Sequence, residues 1–248
     1  MKALVTGGSS GIGRDMAIYL SKLGYDVILV SKDENKLKSV SKSIKNSSYY
    51  VCDISSTEEC IRLYNKVKSE NIELLINNAG FGKFGEFNEI NLEDELNMID
   101  VNIKGVHILT KLFLNDFIKR DSGYILNVAS SAAFEPGPLM ATYYSTKAYV
   151  LRLTTSIYEE LRRKKSNVHV SVFCPGPVRT NFNNVANVKF EIKSISSDYA
   201  AKYAIDKMFK NKLVIIPTFY MKALVFLTRL TPTKLLARIA YNIQNKKR

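Results

Sequence analysis

Tyr143 and Lys147 lie four residues apart in the segment Tyr-Tyr-Ser-Thr-Lys, so on a helix their side chains share one face. An ammonium group beside a phenol stabilises the phenolate, and a proton donor that works near neutral pH requires this. Ser130 precedes Tyr143 by thirteen positions and adds a hydroxyl group. These residue types are suited to acid/base chemistry on an oxygen atom.

The spacing of Tyr143 and Lys147 is weak evidence by itself. It recurs at Tyr64/Lys68 and at Tyr203/Lys207, and we interpret both of those copies as solvated helix surface. The surroundings of the copy at 143 are what distinguish it from the other two.

A turn rich in glycine and serine, Thr-Gly-Gly-Ser-Ser-Gly-Ile-Gly, occupies residues 6–13. It ends the first predicted strand and begins the first predicted helix. Glycines there permit a tight turn and the close approach of backbone to a pyrophosphate, which then meets the helix N-terminus. The turn could also be a simple connector, but its place after the first strand of an α/β pattern favours dinucleotide binding.

Short apolar runs alternate with longer amphipathic segments along most of the chain. The runs predict strands at 2–6, 26–30, 49–52, 72–76, 123–129, 167–173 and 212–216. The segments between them predict helices near 11–23, 33–45, 56–70, 93–120, 141–164 and 197–210. This alternation predicts an α/β fold: a doubly wound (Rossmann) seven-stranded parallel sheet with helices on both faces.

No linker rich in Gly, Ser or Pro divides the chain, so we predict one catalytic domain at 1–218. Residues 177–196 lack clean periodicity and follow the sixth strand, where a long connection is usually a functional loop.

Residues 219–248 read as a basic, amphipathic, helical extension in which Pro232 separates two short helices. The whole chain carries a net charge of +13. Much of this excess lies at its C-terminal end, because no acidic residue follows Asp206. Each helix is too short to span a bilayer. The extension can lie on an anionic membrane surface, cover the substrate cleft or pack against a sister subunit.

The composition excludes several classes of chemistry. Only two histidines and three unpatterned cysteines are present, which argues against a zinc site and against a Ser-His-Asp triad, so we expect no metal. We interpret the cysteines as reduced packing residues of a cytoplasmic protein, with peripheral membrane contact as an option. No nucleic-acid-binding module accompanies the positive charge.

The order of these motifs resembles the short-chain dehydrogenase/reductase family in its classical form, over roughly residues 1–216. The turn at 6–13 resembles the family's T-G-x-x-x-G-I-G element, and Asn77-Asn78-Ala79-Gly80 resembles its N-N-A-G element. Further matches are Asp53, Asn102 in Val-Asn-Ile-Lys-Gly, Ser130, Tyr143, Lys147 and the segment Pro175–Thr180.

The resemblance implies the roles of four catalytic residues. Tyr143 would exchange a proton with the substrate oxygen, and Ser130 would donate a hydrogen bond to that oxygen. Lys147 would lower the pKa of Tyr143 in the cofactor complex and contact the nicotinamide ribose. Asn102 would hold a water in a proton relay to Lys147. Without the resemblance, a turn residue or a backbone clamp is the simpler interpretation of such an asparagine.

The resemblance also implies a nicotinamide cofactor. Its expected contacts are Gly7, Ser9, Ser10, Gly11, Ile12, Gly13, Ser31, Lys32, Asp53, Ile54, Asn78, Ala79, Gly80, Tyr143, Lys147, Pro175, Gly176, Val178 and Thr180. NAD sites usually place an acidic residue after the second strand, where this chain has Ser31 and Lys32. We therefore favour NADP(H) over NAD(H), and we expect Asp33 and Glu34 to cap and start the next helix.

The expected substrate is a hydrophobic ketone or alcohol, since the candidate pocket residues are mostly apolar. The contacts we predict are Ser130, Phe134, Leu139, Tyr143 and Phe182, with Phe81, Phe84, Pro138 and Met140 as further wall candidates.

The sequence thus predicts an NADP(H)-dependent carbonyl reductase or alcohol dehydrogenase. The alternatives are a membrane-associated 3-oxoacyl or steroid-like reductase, and a non-catalytic nucleotide sensor with the same fold. By resemblance, a homodimer or homotetramer is expected.

Overall fold

A parallel sheet of seven strands forms the centre of the computed structural model, which describes residues 1–180, 182 and 194–246. The described residues form nine strands, seven in this sheet and two in a separate pair. They are β1 (Lys2–Thr6), β2 (Asp26–Ser31), β3 (Ser47–Val51), β4 (Ile72–Asn77), β5 (Gly123–Val128), β6 (Val168–Phe173), β7 (Val178–Arg179), β8 (Ile195–Ser196) and β9 (Val214–Ile215). The order in the main sheet is β3-β2-β1-β4-β5-β6-β9, and β7 and β8 form a separate parallel pair. The predicted seven-stranded Rossmann sheet is confirmed.

The helices are α1 (Gly11–Lys22), α2 (Glu34–Ser43), α3 (Thr57–Val67), α4 (Leu92–Ile99), α5 (Val106–Lys119), α6 (Ala141–Arg163), α7 (Ser197–Met208), α8 (Phe219–Leu230) and α9 (Thr233–Asn245). Two large apolar clusters lie on opposite faces of the sheet. One joins the sheet to α1 and α7 through residues such as Met16 and Met208, and the other joins it to α3 and α5 through residues such as Leu63 and Phe113. The near-continuous apolar strands follow from this burial on both faces.

The strand order reverses between β1 and β4, which pair in parallel from Lys2/Ile72 to Val5/Ile76. In a doubly wound sheet, ligands bind in the crevice beyond the carboxyl ends of the strands at such a switch point. The glycine-rich turn after β1 and the Asn-Asn-Ala-Gly segment after β4 meet at this place. The topology therefore joins two motifs that are about 70 residues apart in the sequence.

The predicted helix at 93–120 is helical from Leu92 to Lys119, but it is not a regular α-helix throughout. A π-helical segment, Asp100–Gly105, lies between α4 and α5 and contains Asn102. A π segment accommodates an extra residue in a helix and often occurs at functional sites. The sequence did not predict the π segment at Asp100–Gly105, because the apolar pattern of the helix continues across it.

Asp33 caps α2 as expected: its side chain accepts a hydrogen bond from Lys36 N at 3.0 Å. In the C-terminal extension, α8 and α9 are separate helices on either side of Pro232, also as expected. Among the described residues, no helix combines the length and apolar character needed to cross a membrane.

Candidate active site

The glycine-rich turn is held tightly against the end of β4. Gly7 adopts φ = +65°, and a Cβ at this position would lie 2.8 Å from the Asn78 side-chain nitrogen. Asn78 Nδ2 donates to the Thr6 carbonyl at 3.1 Å, and the Thr6 hydroxyl accepts from the backbone nitrogen of Asn78 at 3.0 Å. Only glycine fits at position 7, because both the positive φ and the lack of room exclude a side chain.

The N-terminus of α1 is suited to an anionic group. Ser10, the N-cap residue, makes no side-chain capping hydrogen bond, and the first turn contains no acidic residue. Gly11, at φ = +53°, packs close to Thr180, whose methyl carbon would lie 3.3 Å from an added Cβ. The free backbone N–H groups and the helix dipole favour a phosphate here. This arrangement fits the pyrophosphate of a dinucleotide.

The end of β2 carries the residues expected to select the cofactor. The Ser31 hydroxyl bonds to the Ser9 hydroxyl at 2.9 Å, which connects β2 to the glycine-rich turn. The Lys32 side chain is 68% exposed, and its Nζ lies 3.8 Å from Asp53 Oδ2. The Asp33 carboxylate is engaged by Lys36 at 2.9 Å as well as by the α2 cap. Because it is exposed and lines the crevice, Lys32 can turn toward a phosphate bound at this edge.

Tyr143 and Ser130 meet on one wall of the same crevice. Tyr143 lies in the first turn of α6, and Ser130 follows β5 and caps a short 3-10 turn by accepting from Ala132 N at 3.2 Å. Burial raises the pKa of Tyr143 to about 12, while a hydrogen bond with the Ser130 side chain acts in the opposite direction. In the polypeptide alone, Tyr143 is thus a neutral phenol at pH 7.

Lys147 is almost fully buried beneath Tyr143. Its Nζ lies 5.9 Å from the centre of the Tyr143 ring and donates to the Val128 carbonyl at 3.1 Å. Burial lowers the pKa of Lys147 to about 8. The ammonium is still the main form at pH 7, so a positive charge is available one helical turn from the phenol.

Asn102 clamps the backbone of Phe81. Its Oδ1 accepts from Phe81 N at 3.1 Å, and its Nδ2 donates to Phe81 O at 2.9 Å and to the Thr146 hydroxyl at 3.0 Å. The side chain is fully buried, and these bonds occupy its amide. Of the two simpler interpretations of this asparagine, a turn residue or a backbone clamp, these hydrogen bonds correspond to the clamp.

A cavity of about 730 Å³ connects the glycine-rich turn with the Tyr143 wall. Most of the predicted cofactor contacts line it: Gly7, Ser9, Ser10, Gly11, Ile12, Ser31, Lys32, Asp53, Ile54, Asn78, Ala79, Gly80, Tyr143, Lys147, Pro175, Gly176, Val178 and Thr180. Ser130, Phe81, Met140 and Phe182 line it as well.

Several predicted residues do not line this cavity. Gly13 is buried beneath the turn, where an added Cβ would collide with the Asn78 amide and the Gly7 carbonyl. Phe134 packs instead on a core cluster that includes Val150, because the 3-10 turn directs it inward. Leu139 is buried. Phe84 packs against Met140, and neither Phe84 nor Pro138 is part of the wall. Residues 181 and 183–193 of the predicted long loop lie outside the described residues.

Sequence reasoning missed much of the cavity wall. Tyr144 and Gln244 line it and are hydrogen-bonded to each other. Met221, Leu224 and Ala240 of α8 and α9 also line it. Covering the cleft was one of three options for the extension, and its apolar periodicity alone could not decide among them.

The two other Tyr/Lys pairs lie outside the cavity, but they are more than solvated surface. Tyr64 is half-buried, and its hydroxyl donates to Asp116 at 2.6 Å while its ring packs edge-on against Phe113. Tyr203 lies on α7 and is half-buried, because it packs against the core cluster that joins the sheet to α1 and α7. Both tyrosine rings pack against apolar residues, which the Tyr/Lys spacing did not predict.

The cysteines and histidines supply no rival site. All three cysteines are free and buried. Within residues 1–180, 182 and 194–246, no group of three or more His, Cys, Asp or Glu side chains could hold a metal ion.

A family model described as short chain dehydrogenase matches residues 1–189, more than half of the chain. The protein belongs to this family. As a short-chain dehydrogenase, it is an oxidoreductase that acts on alcohol or ketone groups with a nicotinamide cofactor.

Curated relatives agree with the family assignment. An uncharacterized oxidoreductase of Staphylococcus saprophyticus is 34% identical over 216 residues, which cover 83% of this chain and 91% of the relative. A 3-oxoacyl-[acyl-carrier-protein] reductase of Rickettsia prowazekii is 31% identical over 188 residues, covering 75% of this chain and 76% of the relative.

Solved short-chain dehydrogenases share the fold. One from Sphingobium yanoikuyae, in complex with NADPH, matches with a TM-score of 0.83 and 25% identity, covering 92% of this chain and 93% of that chain. Another, from Burkholderia phymatum in complex with NAD, matches with a TM-score of 0.84 and 23% identity, covering 91% and 92%. The fold therefore accommodates either cofactor.

Proposed function

We propose that this protein is an NADP(H)-dependent carbonyl reductase or alcohol dehydrogenase that acts on a hydrophobic ketone or alcohol. The observation that carries the proposal is the placement of Ser130, Tyr143 and Lys147 on the wall of the largely apolar cavity that begins at the glycine-rich turn. A cavity of this size suits a cofactor together with a small substrate.

In the reduction direction, Tyr143 donates its phenolic proton to the carbonyl oxygen as negative charge develops there. Ser130 donates a hydrogen bond to the same oxygen and so stabilises that charge. A reduced nicotinamide, when bound, supplies the hydride to the carbonyl carbon.

Lys147 stabilises the phenolate that Tyr143 becomes after it gives up its proton. The Tyr143 pKa of about 12 in the polypeptide alone must fall for the reverse reaction, and a nearby ammonium lowers it. Asn102 supports the site by fixing the segment after β4 and, through Thr146, the first turns of α6. We propose that the relay from Lys147 to solvent runs beside this clamp, with the asparagine as a positioning residue.

The preference for NADP(H) rests on the residues after β2. An NAD site usually places a carboxylate there to bind the ribose 2′-hydroxyl, and Ser31-Lys32 offers a hydroxyl and a cation instead. A lysine can pair with a 2′-phosphate. Asp53 weakens the attraction of Lys32 for a 2′-phosphate, since its carboxylate lies 3.8 Å from the Lys32 ammonium in the polypeptide alone.

The apolar wall contributed by α8 and α9 supports a hydrophobic substrate. Met221, Leu224, Val225 and Leu236 present aliphatic side chains to the cavity, and the Tyr144–Gln244 pair provides a polar contact. We therefore propose that residues 1–218 form the catalytic domain and that 219–248 complete its substrate pocket.

A second candidate is a 3-oxoacyl reductase, which the similarity to the Rickettsia prowazekii reductase favours. Assays of ketones of increasing chain length with NADPH, with 3-oxoacyl thioesters in parallel, separate the two. Our proposal predicts that kcat/KM rises with apolar size for simple ketones. A strong preference for the thioesters would favour the second candidate, and no turnover of any carbonyl would contradict both.

A further inference from the structure

The outer surface of α8 and α9 is unusually apolar for a solvent-exposed surface. Among the described residues it exposes large hydrophobic side chains, which are Phe219, Tyr220, Phe226, Leu227, Leu230, Leu235, Ile239, Tyr241 and Ile243. Contiguous exposed apolar surface of this kind marks an interaction site, whereas scattered single residues do not.

Three of these side chains form a stripe along α8. Phe219, Phe226 and Leu230 are 85%, 60% and 67% exposed. Their spacing of seven and four residues places them on one face of the helix. None of the three lines the cavity, so the active site does not explain them.

Exposed basic residues lie on the same two helices as these exposed apolar side chains. Lys222 and Arg229 lie on α8, and Lys234 and Arg238 lie on α9, all of them exposed. The sequence contains no acidic residue after Asp206, so neither helix carries a carboxylate that could neutralise them. The surface therefore combines apolar area with unbalanced positive charge.

The apolar surface continues into the cavity. Tyr220, Leu227, Ile239 and Ile243 are exposed and also line the cavity, so they form an apolar rim at its mouth. The exposed apolar surface and the wall of the cavity thus share these four residues.

We propose that the outer face of α8 and α9 docks on the surface of an anionic lipid bilayer, with the mouth of the cavity toward the lipid. Amphipathic helices with basic and apolar residues lie in the plane of such a surface. Anionic headgroups would neutralise Lys222, Arg229, Lys234 and Arg238. This proposal is independent of the substrate assignment, because it concerns binding and not turnover.

The positive charge of this face favours an anionic bilayer over a second copy of the chain as its binding partner. A two-fold interface through this face would bring the same patch of each subunit together. It would place basic residues against basic residues with no carboxylate from either helix between them. Such like-charge contacts are unfavourable, whereas an anionic surface complements the patch.

The test is co-sedimentation of the full-length protein with vesicles of phosphatidylcholine, with and without phosphatidylglycerol. We expect binding that requires phosphatidylglycerol and weakens at high salt, since the charges are exposed. The variant Lys222→Gln/Arg229→Gln/Lys234→Gln/Arg238→Gln should bind at least about tenfold more weakly. The variant Phe219→Ser/Phe226→Ser/Leu230→Ser should also bind weakly while still reducing a small soluble ketone in the absence of vesicles.

Matched controls come from exposed residues outside the extension. Lys22→Gln/Lys42→Gln/Lys45→Gln/Lys68→Gln removes the same charge, and Phe87→Ser/Leu92→Ser removes exposed apolar side chains. Both should bind vesicles like the unmodified protein. Thermal unfolding of each variant confirms that it is folded.

Three results would overturn the proposal: no binding to anionic vesicles, equal binding to neutral ones, or an equal loss in the charge control. Light scattering provides a further test. A dimer in solution that the Phe219/Phe226/Leu230 variant converts to a monomer would assign this face to a second copy instead.

Discussion

Asn102 and Phe81 are joined by two hydrogen bonds, from Phe81 N to Asn102 Oδ1 at 3.1 Å and from Asn102 Nδ2 to Phe81 O at 2.9 Å. A third bond ties the same amide to Thr146 on α6. The π segment that contains Asn102 thus holds the segment after β4 and the helix carrying Tyr143 in a fixed relation. The site depends on this clamp because its reacting groups come from separate elements.

We expect Asn102→Ala to lower both stability and activity. The change leaves the Phe81 backbone groups and the Thr146 hydroxyl without their partner in a buried place, at a cost of about 1–3 kcal/mol in the free energy of unfolding. Urea denaturation measures this cost, and kcat with a ketone substrate should fall in parallel. Asn115→Ala, an exposed position on α5, is the control and should change neither quantity appreciably. Equal stability of the two variants would contradict the clamp.

Gly80→Ala should impair the site while largely sparing the fold. An added Cβ would lie 2.9 Å from Asn102 Oδ1 and 3.1 Å from Lys147 Nζ, so it would displace one of these groups. We expect kcat/KM to fall by about 100-fold, the loss typical of an ångström-scale displacement at a reacting centre.

Gly24→Ala is the matched comparison for Gly80→Ala. Gly24 has φ = +88° and open space around its Cβ position, in the turn between α1 and β2. This variant should lose about 1 kcal/mol of stability through its backbone conformation and retain its kcat. Unchanged kinetics in Gly80→Ala would show that the close packing of Gly80 against Asn102 and Lys147 is not needed.

Lys147→Met should abolish activity yet stabilise the protein at neutral pH. The pKa of Lys147 is about 8 in the folded chain against 10.5 ordinarily, so folding disfavours its charged form. Below pH 8 this penalty is fully present, and it disappears as pH rises from about 8 to 10.5, where the unfolded chain holds the extra proton.

The gain in thermal midpoint of Lys147→Met should therefore be greatest near pH 7 and vanish near pH 10.5. Differential scanning calorimetry of both proteins across this range measures it. Lys68→Met, at an exposed position of another Tyr/Lys pair, is the control and should change the thermal midpoint little. A midpoint for Lys147→Met below that of the unmodified protein at pH 7 would show that the Val128 hydrogen bond outweighs burial of the charge.

Lys32→Ala should weaken NADPH binding about fivefold and leave NADH binding unchanged. This factor corresponds to about 1 kcal/mol, the upper end for an exposed ion pair. Fluorescence titration with both cofactors measures it, and Lys38→Ala on α2, which pairs with Glu34, is the control. Tighter binding of NADH than of NADPH, with no effect of Lys32→Ala, would reverse our cofactor assignment.

Periodicity and motif order were sufficient to predict the strands, the Tyr143/Lys147 face of α6 and the glycine-rich turn, because each of these depends on a short stretch of sequence. The alternation of strands and helices was sufficient to predict the parallel sheet that joins them. The π segment at Asp100–Gly105 was not predictable, since an extra residue within a helix leaves the apolar pattern nearly intact. The sequence also could not predict that α8 and α9 pack over the cavity, because the amphipathic pattern of a helix does not show which surface its apolar face contacts. The inward direction of Phe134 depends on a 3-10 turn that the sequence does not mark.

The most direct test of the account is the carbonyl reduction rate of Tyr143→Phe. Tyr203→Phe is the matched control, because Tyr203 also has a lysine four residues on, with Nζ 5.6 Å from its ring centre, and lies outside the cavity. We predict that Tyr143→Phe lowers kcat by about 10²–10⁴-fold while NADPH binding is kept, and that Tyr203→Phe retains the kcat of the unmodified enzyme. Substantial reduction by Tyr143→Phe, or an equal loss in Tyr203→Phe, would contradict the assignment of Tyr143 as the proton donor.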